Sequence, residues 1–160
     1  MRGLSLIRYA VAAVLLGAGS HVAIAADGVT TKRSSHPFTA TLERVEATAK
    51  ATGFTIFARL DHAAAAAAVG QTMPPSTVLV IGNPRVGTER FVRFPTLAID
   101  LPLKVLIWED QSGAVWVTYN NAGHMLTLAQ RHGLPASDAA KEQATRTEAI
   151  MATIAATAAQ

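Results

Sequence analysis

The stretch LKVLIWEDQSGAVWVTY, residues 103–119, decides the fold class. Its two arms are rich in branched and aromatic residues, which favour extended strands. Between them, Asp110-Gln111-Ser112-Gly113 has the composition of a tight turn. The stretch therefore predicts an antiparallel hairpin formed by residues 103–108 and 114–119.

Strands and helices are predicted on both sides of this hairpin. Alternating or continuous apolar runs predict strands at 29–32, 54–60 and 78–81. Apolar spacing and an alanine run predict helices at 38–50, 63–68, 87–94, 122–131 and 137–158. Helices at both ends with strands clustered between them favour an α+β domain, and neither a repeat nor an interdomain linker is visible.

Residues 1–25 have the layout of a secretory signal peptide. Arg2 and Arg8 precede a short apolar stretch, residues 9–16, and Ala23-Ile24-Ala25 is typical of a cleavage site. An N-terminal membrane anchor is the alternative, but this stretch is short for a stable span. We therefore expect a periplasmic protein formed by residues 26–160 as a single domain, with no membrane attachment after cleavage.

Composition excludes several classes of protein. The chain has 160 residues, is 50% hydrophobic and contains no cysteine. It is therefore not a disordered chain, and it has neither disulfides nor thiolate metal ligands. Removal of Arg2 and Arg8 leaves 12 basic and 11 acidic residues, a net charge of +1. Such a near-neutral domain lacks the charge expected of a nucleic-acid-binding protein.

The segment GNPRVGTE, residues 82–89, has the glycine spacing of a phosphate loop. Thr88 stands where the lysine is required, so nucleotide phosphate has no cation to meet, and a turn after a strand is the plainer interpretation. A second hypothesis remains open. The backbone N–H groups of Gly87 and Thr88 could hold a small anion, with Arg85 or Arg90 nearby.

Asp61-His62 is the most reactive-looking pair in the sequence. A carboxylate beside an imidazole can orient a general base, with Asp100 as a second candidate carboxylate. The alternatives are structural: Asp61 as the cap of the next helix and Asp100 as a turn residue. The histidines are not spaced as zinc ligands usually are, and no serine lies in the G-x-S-x-G pattern of a nucleophile elbow. The sequence therefore predicts no metal site, no cofactor and no serine hydrolase with such an elbow.

Several short motifs in one order resemble the domain of unknown function 302 family. They are Gly53-Phe54, Asp61-His62, Gly82-Asn83-Pro84, Gly87-Thr88, Asp100-Leu101-Pro102-Leu103-Lys104, Trp108-Glu109-Asp110, Val115-Trp116-Val117 and Tyr119-Asn120. The resemblance implies a curved antiparallel sheet with helices packed on one face, similar to the TATA-binding-protein-like class, commonly as a dimer. It implies no DNA binding and no established activity. This chain departs from the resemblance at Glu89-Arg90, where relatives often carry apolar residues.

Polar residues gathered at strand ends and turns, without a complete catalytic set, favour a periplasmic small-molecule or anion-binding homodimer. The candidate ligand-binding residues are Asp61, His62, Asn83, Gly87, Thr88 and Asp100, with Trp108 and Tyr119 as walls. Two alternatives stay open. One is an enzyme that uses His62 as general base with Asp61 or Asp100, and the other is a structural or partner-binding dimer.

Overall fold

The computed structural model of the chain describes residues 24–26 and 28–158. The strands are β1 (Ile24–Ala26), β2 (Val29–Arg33), β3 (Thr55–Asp61), β4 (Ser76–Gly82), β5 (Leu103–Glu109) and β6 (Val115–Asn120). The helices are α1 (Phe38–Ala51), α2 (His62–Ala68), α3 (Pro84–Arg93), α4 (Ala122–Arg131) and α5 (Asp138–Ala156), with a short 3-10 helix at Pro95–Ile99.

The strands form one open antiparallel sheet in the order β1-β2-β6-β5-β4-β3. Five strands of five to seven residues make up its body, and the three-residue β1 adds to the free edge of β2. The predicted hairpin is confirmed as β5 and β6, with Trp108 opposite Trp116. Because β5 and β6 lie in the middle, residues 103–119 form the centre of the sheet.

One face of the sheet carries the hydrophobic core. Along β5 the burial alternates, so that Val105 and Ile107 are buried while their neighbours are more exposed. This face packs against α1 and α5, from which Val45 and Ile154 are fully buried. The result is an antiparallel sheet with its two long helices on one face, which confirms the predicted α+β class.

The N-terminal end of α3 differs from the sequence-based expectation. The helix begins at Pro84 and not at Gly87, because the side chain of Asn83 accepts a hydrogen bond from the backbone N–H of Arg85 at 3.0 Å. Proline suits the first position of a helix, where no backbone donor is needed. The 3-10 helix at Pro95–Ile99 was not predicted either.

The predicted signal peptide lies almost entirely outside the described residues. Its last two residues, Ile24 and Ala25, belong to β1, whose backbone pairs with Thr31 and Thr30 of β2. The signal peptide and its cleavage after Ala25 stay predictions.

Candidate functional site

A cavity of about 400 Å³ lies at the end of the sheet where β4 finishes and β5 begins. Helix α3 forms one side of it, and α5 contributes Ile150 to another. Most of the remaining wall is aromatic or aliphatic. The principal apolar side chains are Phe54, Phe57, Phe91, Leu101, Leu103 and Ile150. The arrangement suits a small molecule whose body is apolar, since ligand pockets typically occupy about 300–1,000 Å³ with mostly apolar walls.

Three of the predicted site residues line this cavity, namely Asn83, Gly87 and Thr88. All three come from the segment that follows β4, so the end of this strand sets the position of the cavity wall. Close packing also needs Gly82 here, because a Cβ atom at this position would lie 3.0 Å from the Phe57 ring. The segment singled out in the sequence therefore forms one wall of this cavity, and its role in ligand binding stays a prediction.

The anion hypothesis for this segment is wrong in its choice of donors. The backbone N–H of Gly87 donates to the carbonyl of Asn83 at 2.9 Å, inside the first turn of α3. Thr88 lies one residue further into the helix, where its N–H joins the same ladder. Because the helix starts at Pro84, neither of these two N–H groups is free to hold an anion.

Asp61 and His62 lie at the opposite end of the sheet from the cavity. Asp61 pairs with Thr77 near the start of β4, whereas Asn83 directly follows the end of β4. Six residue steps separate Thr77 from Asn83, roughly 20 Å at 3.3 Å per residue. The Asp61 carboxylate accepts a hydrogen bond from the N–H of Ala64 at 2.9 Å, so it caps α2. His62 is exposed in the first turn of that helix.

Asp100 bonds to a different histidine, which the sequence reasoning did not pair with any carboxylate. The Nε2 atom of His132, at the end of α4, donates to the Asp100 carboxylate at 2.6 Å. Its Nδ1 atom lies 2.9 Å from the hydroxyl of Thr96. Arg131 is 3.3 Å from the same carboxylate. The hydrogen bond with His132 lowers the pKa of Asp100, with a smaller contribution from the Arg131 charge and some opposition from burial.

This cluster of Thr96, Asp100, Arg131 and His132 joins α4 to the 3-10 helix. The His132 side chain is only 6% exposed, and the cluster does not line the cavity. The enzyme hypothesis therefore loses Asp100 as a partner of His62, because Asp100 is engaged by His132 and lies at the end of β4 away from His62. Its other candidate carboxylate, Asp61, caps α2. No sequence spacing would have revealed the pair, since its members are 32 residues apart and meet only after α4 packs.

Trp108 and Tyr119 do not share a pocket, because they point to opposite faces of the sheet. Tyr119 is 3% exposed within the core, and its burial raises its pKa. Trp108 lies on the other face, stacked on Trp116 with ring centroids 6.2 Å apart. Its indole N–H donates to the hydroxyl of Thr118 at 3.0 Å. Neither side chain lines the cavity.

Within the part of the chain that the structure describes, no three histidine, aspartate, glutamate or cysteine side chains come close enough together to hold a metal ion. Over the same residues, no helix combines the length and the apolar character that a membrane crossing requires.

Fold and cavity together define the class: an α+β domain with an antiparallel sheet and an apolar cavity at one end. The model of the family described as domain of unknown function DUF302 matches residues 30–154. The chain belongs to this family, which confirms the resemblance carried by its motifs. The crystal structure of an uncharacterized conserved DUF302 protein from Bacillus stearothermophilus has the same fold. Its TM-score is 0.70 at 19% identity, over 83% of this chain and 99% of that one.

The chain is also similar to proteins named as fluoride-specific ion channels. It is 43% identical over 107 residues to FluC 1 of Brucella suis, covering 67% of this chain and 41% of that protein. FluC 1 of Brucella abortus shows the same identity over 107 residues, and 38% of that protein is covered. The chain thus spans about two fifths of the length of these relatives.

Proposed function

We propose that this protein binds a small, largely apolar molecule in the cavity beneath α3. The observation that carries the proposal is the cavity itself, about 400 Å³ in volume and walled mainly by aromatic and aliphatic side chains. Concave clefts of this size with mostly apolar walls are typical of small-molecule binding sites. A ligand with an apolar body would supply the contacts that the wall lacks.

The packing of α3 supports the same proposal. Helix α3 has no buried residue, whereas α1 buries four. Phe91 of α3 faces the cavity and is only half-buried there. A bound apolar molecule would cover Phe91 together with Phe54 across the cavity. Binding would therefore stabilise the folded protein in proportion to ligand concentration and affinity.

The test is a thermal-unfolding screen of the purified protein against neutral apolar molecules, with linear alkanols as the probes. We expect the melting temperature to rise with 1-octanol concentration. The variant Gly87→Leu places a side chain into the cavity and should abolish the rise. The matched control Val92→Leu adds bulk to the exposed side of the same helix, where Val92 is 76% exposed, and should bind normally.

The proposal fails if no apolar probe raises the melting temperature of the wild-type protein. It also fails if Gly87→Leu, shown to be folded by circular dichroism, binds octanol as well as Val92→Leu does. Binding elsewhere on the protein would produce that second result.

The periplasmic location and the homodimer remain part of this proposal. An apolar sheet face turned away from α1 and α5 supports self-association, since large exposed apolar patches mark interaction sites. On this face Leu60 is 49% exposed, and Val78, Leu106 and Trp108 are partly exposed. Light scattering after gel filtration should give twice the chain mass, and a monomer at micromolar concentration would contradict the dimer. Fractionation of the native cells checks the location.

The similarity to FluC supports a second candidate function, that of an accessory unit in fluoride handling. A fluoride ion does not suit the cavity, because a small hydrated anion needs several donors and the walls are mostly apolar. The shared segment would thus act beside a channel and not as the ion-binding part. Deletion of the gene should increase the sensitivity of the cells to fluoride, restored by the wild-type chain. Unchanged sensitivity would remove this candidate.

A further inference from the structure

We infer that the ligand of the cavity is an apolar monoanion, held through its charged group by Arg90. This inference rests on the proposed function and names the class of molecule that binds. The apolar body of the ligand would lie in the cavity beneath α3, and its acidic group would lie at the mouth.

The position of Arg90 is the first argument. A second, more open cavity of about 470 Å³ lies between α3, α4 and α5, next to the first. Four residues line both cavities: Arg90, Met125, Gln143 and Thr147. Arg90 therefore lies at the junction, where a mainly apolar cleft meets a larger and more polar one. A molecule with one apolar and one charged end fits such a junction in a single orientation.

The charge of the lining is the second argument. Among the described residues that line the cavity beneath α3, Arg90 is the only charged one. The residue is partly buried, and its guanidinium group makes no hydrogen bond or ion pair with any residue that the structure describes. Arg59 and Arg131, by contrast, each contact a carboxylate. A partly desolvated cation without a partner is a favourable site for an anion, since charge-assisted hydrogen bonds are among the stronger ones.

The polar neighbours of Arg90 are the third argument. Gln143 and Thr147 lie one turn apart on α5, and the Gln143 side-chain amide is 3.4 Å from the Thr147 hydroxyl. The hydroxyl itself donates to the Gln143 carbonyl at 2.9 Å. One N–H of the Gln143 amide thus donates to Thr147, and the other is available on the side of the junction opposite α3. Together with the fork of Arg90, this donor suits the oxygens of a carboxylate or a similar acidic group.

The experiment compares two probes of equal chain length, octanoate and 1-octanol, by isothermal titration calorimetry at pH 7.5. A carboxylic acid is fully ionised at this pH, so the probes differ in charge and not in their apolar chain. We expect the wild-type protein to bind octanoate at least about tenfold more tightly than octanol, which corresponds to about 1.4 kcal/mol.

Three variants separate the role of Arg90 from a general effect of charge. Arg90→Gln should remove the preference for octanoate while octanol binding persists. Arg90→Lys should keep part of it, because the charge remains but the planar fork is lost. Arg85→Gln removes the same charge from the same helix at a position that does not line the cavity, so it should bind as the wild type does.

The outcomes distinguish this inference from the proposed function. Equal binding of octanoate and octanol by the wild-type protein overturns the inference and leaves the proposed function in place. A preference that survives in Arg90→Gln overturns it as well, because the charge is then recognised elsewhere. If neither probe binds, the proposed function fails and the inference fails with it.

Discussion

The two sides of this molecule differ in how completely they are packed. Where α1 and α5 cover the sheet, side chains such as Ile107 and Ile154 are fully buried. Where α3 follows β4, the helix buries no residue and a cavity of about 400 Å³ remains. The first region holds the fold together, and the second leaves space for a ligand. Stability and binding should therefore respond to different substitutions.

The largest effect is expected from truncation in the packed region. Ile107→Ala should reduce the free energy of unfolding by about 2–5 kcal/mol, because it removes a buried side chain and leaves a void. Phe91→Ala on α3 should cost clearly less, since Phe91 is only half-buried at an existing cavity. Urea denaturation of the two variants measures the difference. Equal losses would show that α3 belongs to the same packed core as α1 and α5.

A smaller loss of stability is expected when either of the two helix-capping residues, one at each end of the sheet, is replaced. Asn83 caps α3 and Asp61 caps α2, each by accepting a backbone N–H. Either residue changed to alanine should lower the free energy of unfolding by about 1 kcal/mol. Only Asn83→Ala should also weaken octanol binding, because only Asn83 lines the cavity. A loss of octanol binding in Asp61→Ala would show that the end of the sheet at α2 affects the cavity at the other end.

Gly87→Ala should increase the stability of the protein. A Cβ atom at this position would lie 3.4 Å from the Phe91 ring, which an aromatic side chain at a cavity can accommodate by a small shift. Alanine favours a helix over glycine by about 0.8–1 kcal/mol, so the variant should gain up to about that amount. Thermal unfolding measures the gain. A loss of stability would mean that the ring cannot move, and that the cavity wall is more rigid than its packing indicates.

The smallest expected effect is on the stability of the protein at acidic pH. Hydrogen bonds from the side chains of Ser112 and Trp116 lower the pKa of Asp110 to about 2. A carboxyl whose pKa is lower in the folded than in the unfolded protein adds stability above its unfolded pKa. That contribution is lost as the pH falls from about 4 towards about 2.

Asp110→Asn should therefore show a shallower loss of stability across this range than the wild-type protein. Asp100, whose pKa is also lowered, should add to the same loss. Urea denaturation between pH 5 and pH 2 provides the measurement. If Asp110→Asn and the wild-type protein lose stability equally steeply as the pH falls, the hydrogen bonds to Asp110 do not contribute to stability as proposed.

The central hairpin and α1 could be predicted because their signals are local. Alternating apolar residues and the turn sequence place residues 103–119, and three- and four-residue spacing places α1. The start of α3 was predicted wrongly, at Gly87, although Asn83 followed by Pro84 is the sequence pattern of a capped helix. The cavity could not be predicted, because its wall combines residues from β3, β4, α3, β5, α4 and α5. The Asp100–His132 pair was not predictable either, as it depends on how α4 packs.

The two edges of the sheet differ in how readily another chain could pair with them. At one edge β3 is irregular between Ile56 and Ala58 and carries Arg59 and Asp61, features that discourage strand-to-strand association. At the other edge, β1 covers β2. Cleavage after Ala25 would remove two of the three residues of β1. The processed protein would then expose unpaired backbone groups of β2. Cleavage would thus leave this edge open to pairing with another chain, whereas the uncleaved chain keeps it covered.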